Sequence, residues 1–179
     1  PAESAQPAYL RARLFKHPPL FPLTVGASRA VFSGWSGSAF YPSIAFGAGL
    51  IAAVFFLALA LDLGPGLSLL AALLVAASPV AWICSTRVWI DIALAFFVLS
   101  AVMAHARGRY DERWFVVMGV SWGCAMLTKY PAGAAWLAAA AGGLLTPATR
   151  RSRLYWVGHA LALGMIGAWV IVRIRYEGW

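Results

Sequence analysis

Acidic residues are scarce in this chain: six Asp and Glu stand against 14 Lys and Arg in 179 residues, and only 11% of positions are charged. The tracts 30–61, 63–86, 114–128 and 130–149 hold no charge at all. A charge-free apolar run of roughly 18 or more residues can cross the ~30 Å hydrocarbon core as a helix. Several in succession indicate a polytopic membrane protein, because lipid forces each backbone polar group to be satisfied inside its own helix. The period-2 alternation of a transmembrane barrel is missing. Cysteine is almost missing too. Cys84 and Cys124 have no metal-ligand spacing, and each sits in or near an apolar segment where packing is its role. Aromatic–basic interleaving is absent, so the net charge of +8 reads as topology signals and anionic-headgroup contacts and not as a nucleic-acid surface. No internal repeat is seen, which removes the inverted-repeat sign of many transporters. The chain opens at Pro1 without a signal-peptide pattern and stops at Trp179 after an apolar span, and it reads as part of a longer protein cut at both ends.

What is there is apolar, 62% of the chain, and organised as an all-α transmembrane bundle. Residues 1–34 form an outer-face loop and an interfacial segment; residues 35–179 form the bundle. Six spans are expected, at about 41–61, 67–85, 88–106, 113–129, 131–147 and 154–173. Stretches such as "IAFGAGLIAA" and "AAWLAAAAGG" supply the small residues that let membrane helices approach closely. Six spans place the 62–66 loop, the Arg107/Arg109/Arg113 loop and the Arg150/Arg151/Arg153 loop on one side, cytoplasmic by the positive-inside rule. "FKHPPL", "STRVWID" and "LTKYP" fall on the other. The short basic loops favour this orientation; Arg11, Arg13, Lys16, Arg29, Arg87, Lys129, Arg173 and Arg175 on the outer side oppose it.

Charges at the ends of apolar spans are expensive unless paired, snorkelling or lining a wet cavity. Five candidates converge on the outer side: Lys16, His17, Arg87, Asp91 and Lys129. Arg87 and Asp91 are four apart, a spacing that pairs them on one face of a helix. Taken singly, Lys129 reads as a snorkelling anchor and His17 as an exposed loop residue. Asp91 needs a partner or a task. Four basic groups with one carboxylate suit a substrate with an anionic phosphate and a neutral polar part, because cations stabilise a departing phosphate oxygen. His105 and His159 lie near the inner helix ends and are given no function. Transport of an anionic substrate is the competing reading, and a purely structural membrane subunit the third.

The order of three elements carries a family resemblance: "HPPL" after a basic residue, then Ser78, Pro79, Arg87 and Asp91 in "LLAALLVAASPVAWICSTRVWIDIALAFF", then Leu127-Thr128-Lys129 in "WFVVMGVSWGCAMLTKYP". Together they resemble the GT-C class of membrane glycosyltransferases, and within it the dolichyl-phosphate-mannose protein mannosyltransferases and bacterial relatives that include the aminoarabinose lipid A transferases. The resemblance implies an enzyme of the bacterial inner membrane that takes a sugar from a polyprenyl-phosphate donor on the periplasmic side and passes it to a protein, lipid or glycan acceptor. It also implies that the basic residue before Pro18-Pro19-Leu20, His17 or Lys16, meets the lipid phosphate, and that Asp91 faces the same cavity. Relatives carry Lys directly before the prolines. His17 stands there instead, which admits a divalent metal as a cofactor at that place, although no metal site is assigned. The family's catalytic acid lies upstream of Pro1, since Glu3 is the only acid before Asp62 and its surroundings do not match. Residues 1–179 alone are therefore expected to be inactive.

Overall fold

The computed structural model describes residues 18–177, and among them it is helical with no strand. Pro18 and Pro19 lead into α1 (Leu20–Val31), and Pro22 is tolerated in its first turn, where no intrahelical N–H is required. A 3-10 turn (Ser36–Phe40) runs directly into α2 (Tyr41–Ala60). Then follow α3 (Gly64–Ala76), α4 (Pro79–Ser85), α5 (Ile90–Gly108), α6 (Trp114–Thr128), α7 (Ala132–Leu145), the short α8 (Pro147–Arg151) and α9 (Arg153–Glu177).

Three helical stretches are long and apolar enough to cross a membrane: Ser36–Ala60, Ile90–Gly108 and Arg153–Tyr176. A fourth results if α3 and α4, bent by 63° at their junction, count as one broken span. This is fewer than the six spans the charge-free tracts suggest. The 67–85 tract breaks at Ser78-Pro79, because proline holds the residue before it extended and supplies no N–H; Ser78 accordingly has ψ 124 and its Oγ caps Ala81 N–H. The 113–129 and 131–147 tracts become α6 and α7, of 15 and 14 residues. At 1.5 Å per residue these reach only about 22 and 21 Å. Lys129-Tyr130-Pro131 separates them, and Thr146-Pro147 ends the second.

α6 is the centre of the bundle, packed between α5 and α9. Phe115, Met118, Trp122 and Ala125 on it are buried with Ala101 and Ala104 of α5 and Tyr155 and Ala162 of α9. Small residues set the spacing. A Cβ on Gly119 would collide with the Gly158 backbone, and one on Gly158 with the Phe115 carbonyl, so α6 and α9 meet backbone to backbone. Gly47 of α2 likewise admits the Ser85 side chain.

The helices alternate in direction, which sorts the loops onto two ends. At one end the Tyr110 hydroxyl donates to Asp62 Oδ2 at 3.1 Å and Ser152 Oγ to Glu112 Oε2 at 2.8 Å. This gathers the 62–66, 107–113 and 150–153 segments, as the alternation of spans requires. At the other end lie the α4–α5 junction, Lys129 and Tyr130. The C-terminal part of α9 joins them there, with Trp169 Nε1 and Arg173 Nη1 donating to the Tyr130 hydroxyl at 3.4 and 3.3 Å.

Candidate functional site

Asp91 lies in the first turn of α5 and Lys129 caps the end of α6. Each charge therefore has the sign that its helix end favours, a carboxylate at the positive N-terminus and an ammonium at the negative C-terminus. The antiparallel packing of α5 on α6 brings the two together: Lys129 Nζ donates to Asp91 Oδ1 at 2.6 Å. The other carboxylate oxygen is also taken, by the Trp89 indole N–H at 2.7 Å. Trp89 is the extended residue before α5, and its own backbone N–H donates to Ser43 Oγ at 3.4 Å. Ser43 is fully buried at the start of α2, so the turn that presents Trp89 and Asp91 is anchored to a spanning helix.

Arg87 stands in the exposed turn between α4 and α5. α4 stops at Ser85 and α5 starts at Ile90, so the four-residue spacing of Arg87 and Asp91 is not a helical one; Asp91 is instead paired with Lys129. Lys16 and His17 lie outside the described residues. The residue that sequence reasoning missed is Trp89. Its signal was an aromatic N–H donor two positions before an acid at a helix start, within "VWID".

Asp91 lines a groove of about 450 Å³, where it is the only charged lining residue among the described residues. α2 contributes Leu50, α3 contributes Leu74 and Val75, α4 contributes Val80, Ala81 and Cys84, and α5 contributes Ile92 and Ala95; Ser78 stands at the α3–α4 break. The bend between α3 and α4 opens this space: a straight helix would carry α4 away from α5. No cluster of three or more His, Cys, Asp or Glu suited to a metal is present among the described residues.

His105 and His159 are in the bundle at the opposite end, in ring contact with Tyr155 at 5.8 and 4.4 Å. Neither nitrogen of His159 has a hydrogen-bond partner among the described residues.

The site is thus an apolar groove with one held carboxylate in its lining. A family model described as dolichyl-phosphate-mannose-protein mannosyltransferase matches residues 16–172. The chain belongs to that family. The match takes in Asp91, Lys129 and all the groove residues, and makes the chain an integral membrane protein of a glycosyltransferase class. No curated protein and no solved structure matches it.

Proposed function

We propose that this chain is the membrane part of a glycosyltransferase that takes a sugar from a polyprenyl-phosphate donor and transfers it at the periplasmic face of a bacterial inner membrane. The observation that carries this reading is Asp91, fixed by Lys129 and Trp89 at the rim of an apolar groove. A prenyl chain fits the apolar lining, and a polar head belongs at the rim. The end bearing Lys129 and Asp91 is the outer face. α6, at the centre of the bundle, and α7, on its periphery with Ala132 and Gly143 buried, complete the six membrane segments although each is too short to cross alone. Residues 1–34 form the outer-face segment and residues 35–179 the bundle.

In the reaction the acceptor hydroxyl oxygen bonds to the anomeric carbon and gives up its proton to a carboxylate base. The bond from that carbon to the phosphate oxygen breaks, and its electron pair leaves with the polyprenyl phosphate. Asp91 is poorly suited to be that base, since both its oxygens already accept hydrogen bonds, from Lys129 and Trp89. Its task is to fix Lys129 and the sugar hydroxyls at the rim, while the base comes from outside residues 1–179. Lys16, His17 and Arg87 supply positive charge for the leaving phosphate, a role for which lost donors typically reduce turnover by about 10²–10³-fold.

The test uses the full-length protein in nanodiscs with a polyprenyl-phosphate sugar donor. Asp91→Asn and the pair Lys16→Ala with His17→Ala are expected to reduce transfer by about 10²-fold while circular dichroism and elution volume stay unchanged. Wild-type rates in both variants would remove these residues from the site.

A further inference from the structure

A second cavity lies at the opposite end of the molecule, away from Lys129 and Asp91. It occupies about 350 Å³ where α2 and α5, two of the spanning helices, both stop, and Asp62, Arg107, Tyr110, Asp111 and Trp114 line it. Asp62 follows α2, Tyr110 and Asp111 lie between α5 and α6, and Arg107 and Trp114 stand at the facing ends of those two helices. Asp62 adopts φ 60 in the turn after α2, a left-handed conformation that Asp tolerates better than most residues. The Tyr110 hydroxyl holds its carboxylate. Asp111 Oδ1 accepts the Arg113 backbone N–H at 3.0 Å. Each carboxylate thus keeps one oxygen without a hydrogen-bond donor among the described residues.

Arg107 is placed differently. Its guanidinium carbon is 5.3 Å from the centroid of the Trp114 ring and 6.0 Å from that of Phe56. Among the described residues, no carboxylate lies within ion-pair distance of it. Stacking on rings fixes a guanidinium while leaving its planar N–H edge free for a phosphate. The cavity therefore offers one phosphate-binding cation and two carboxylates that accept N–H donors. Leu59 and Ala60 add apolar lining, and Phe56 beside Arg107 and Leu61 and Leu63 on either side of Asp62 are all about half exposed.

This pattern matches a ligand with one phosphodiester, one ammonium that still carries N–H bonds, and hydrocarbon attached. A phosphoglycerol head would bring its net negative charge against two carboxylates with no ammonium to offset them. A choline head has no N–H to give, and the Trp114 ring that would stack on it already carries Arg107. We infer that this pocket binds the headgroup of an ethanolamine phospholipid, with the phosphate at Arg107 and the ammonium at Asp62 and Asp111.

The experiment titrates the purified full-length protein in detergent with dioleoyl phosphatidylethanolamine, phosphatidylcholine or phosphatidylglycerol, and with soluble glycerophosphoethanolamine. Bound lipid is read by native mass spectrometry and by the thermal midpoint. The ethanolamine lipid should be retained about tenfold better than the other two, the scale of one charge-assisted hydrogen bond. Asp62→Asn with Asp111→Asn should erase that preference, Asp111→Asn alone should weaken it, and Arg107→Gln should lower retention of all three lipids. The single Asp111 variant guards against misfolding, since that side chain is exposed and the Asp62 turn is untouched. Equal retention of the three lipids by the wild type, or an ethanolamine preference that survives in the Asp variants, overturns the inference. So does competition by glycerophosphoethanolamine at the concentration at which the lipid acts, because the acyl chains would then add nothing.

Discussion

Gly119 and Gly158 show how much single residues decide here. Each is the floor of a backbone-to-backbone contact between α6 and α9, and a methyl group on either meets main-chain atoms that cannot turn aside. Gly119→Ala should lower stability by about 1–3 kcal/mol, the range for overpacking. Gly142→Ala, in α7 with nothing within 4 Å of the added carbon, should be neutral or raise it by about 0.5–1 kcal/mol, because alanine is the better helix former. Thermal unfolding in detergent followed by circular dichroism separates the two, and equal midpoints would contradict the close approach. The ion pair behaves differently. With Lys129 and Asp91 side chains 32% and 41% exposed, Lys129→Met should cost no more than about 1 kcal/mol, so a large loss of transfer in that variant is a loss of function and not of folding. At this scale the sequence announced Asp91 and Lys129 through their rarity in apolar surroundings. It misled on the partner of Asp91, because i,i+4 spacing pairs residues only when one helix runs through both, and the turn at Thr86–Val88 interrupts it.

Among the elements, the break between α3 and α4 is the feature that hydrophobicity concealed. A run of apolar residues reports that a segment suits lipid but not in which direction its helix points. The proline at 79 was visible, and its consequence, a 63° change of course, was not. Pro79→Ala removes the constraint on Ser78 and restores a backbone donor, which lets α3 continue toward α4. Spin labels at Leu67 and Ile83, both exposed, should move apart in this variant as measured by electron–electron dipolar spectroscopy, with overall helix content unchanged. Donor binding should weaken as the groove loses its α4 wall. An unaltered label distance would show that packing against α2, through Gly47 and Ser85, holds the bend by itself. The lengths of α6 and α7 were hidden for a related reason: a single Lys or Pro at a run's end does not say how many residues before it remain helical.

The whole molecule has two chemically distinct ends. One gathers Trp89, Asp91, Lys129 and Tyr130; the other gathers Asp62, Arg107, Tyr110, Asp111 and Glu112. This separation was legible in the sequence because direction alternates from one apolar segment to the next, and a bend inside one segment does not disturb the count. Which end is the outer one is a weaker reading, since the short basic loops favour one orientation and the basic residues at the other end oppose it. Tyr110→Cys and Trp89→Cys, each in a background with Cys84 and Cys124 replaced by Ala, should react with a membrane-impermeant maleimide from opposite sides of inverted and right-side-out vesicles. The cysteine at 89 should label from the periplasmic side. Labelling of both from one side would break the two-ended arrangement.

The break at Ser78 also makes a demand on the backbone. A helix that stops frees the carbonyls of its last turn, and the one that starts frees the N–H groups of its first. Lipid tails satisfy neither. At the break much of that demand is met locally: the Ala77 and Ser78 N–H groups donate to the Leu73 and Val75 carbonyls, and the Ala81 and Trp82 N–H groups donate to Ser78. Ser78 thus serves both helix ends at once and stands in the lining of the groove.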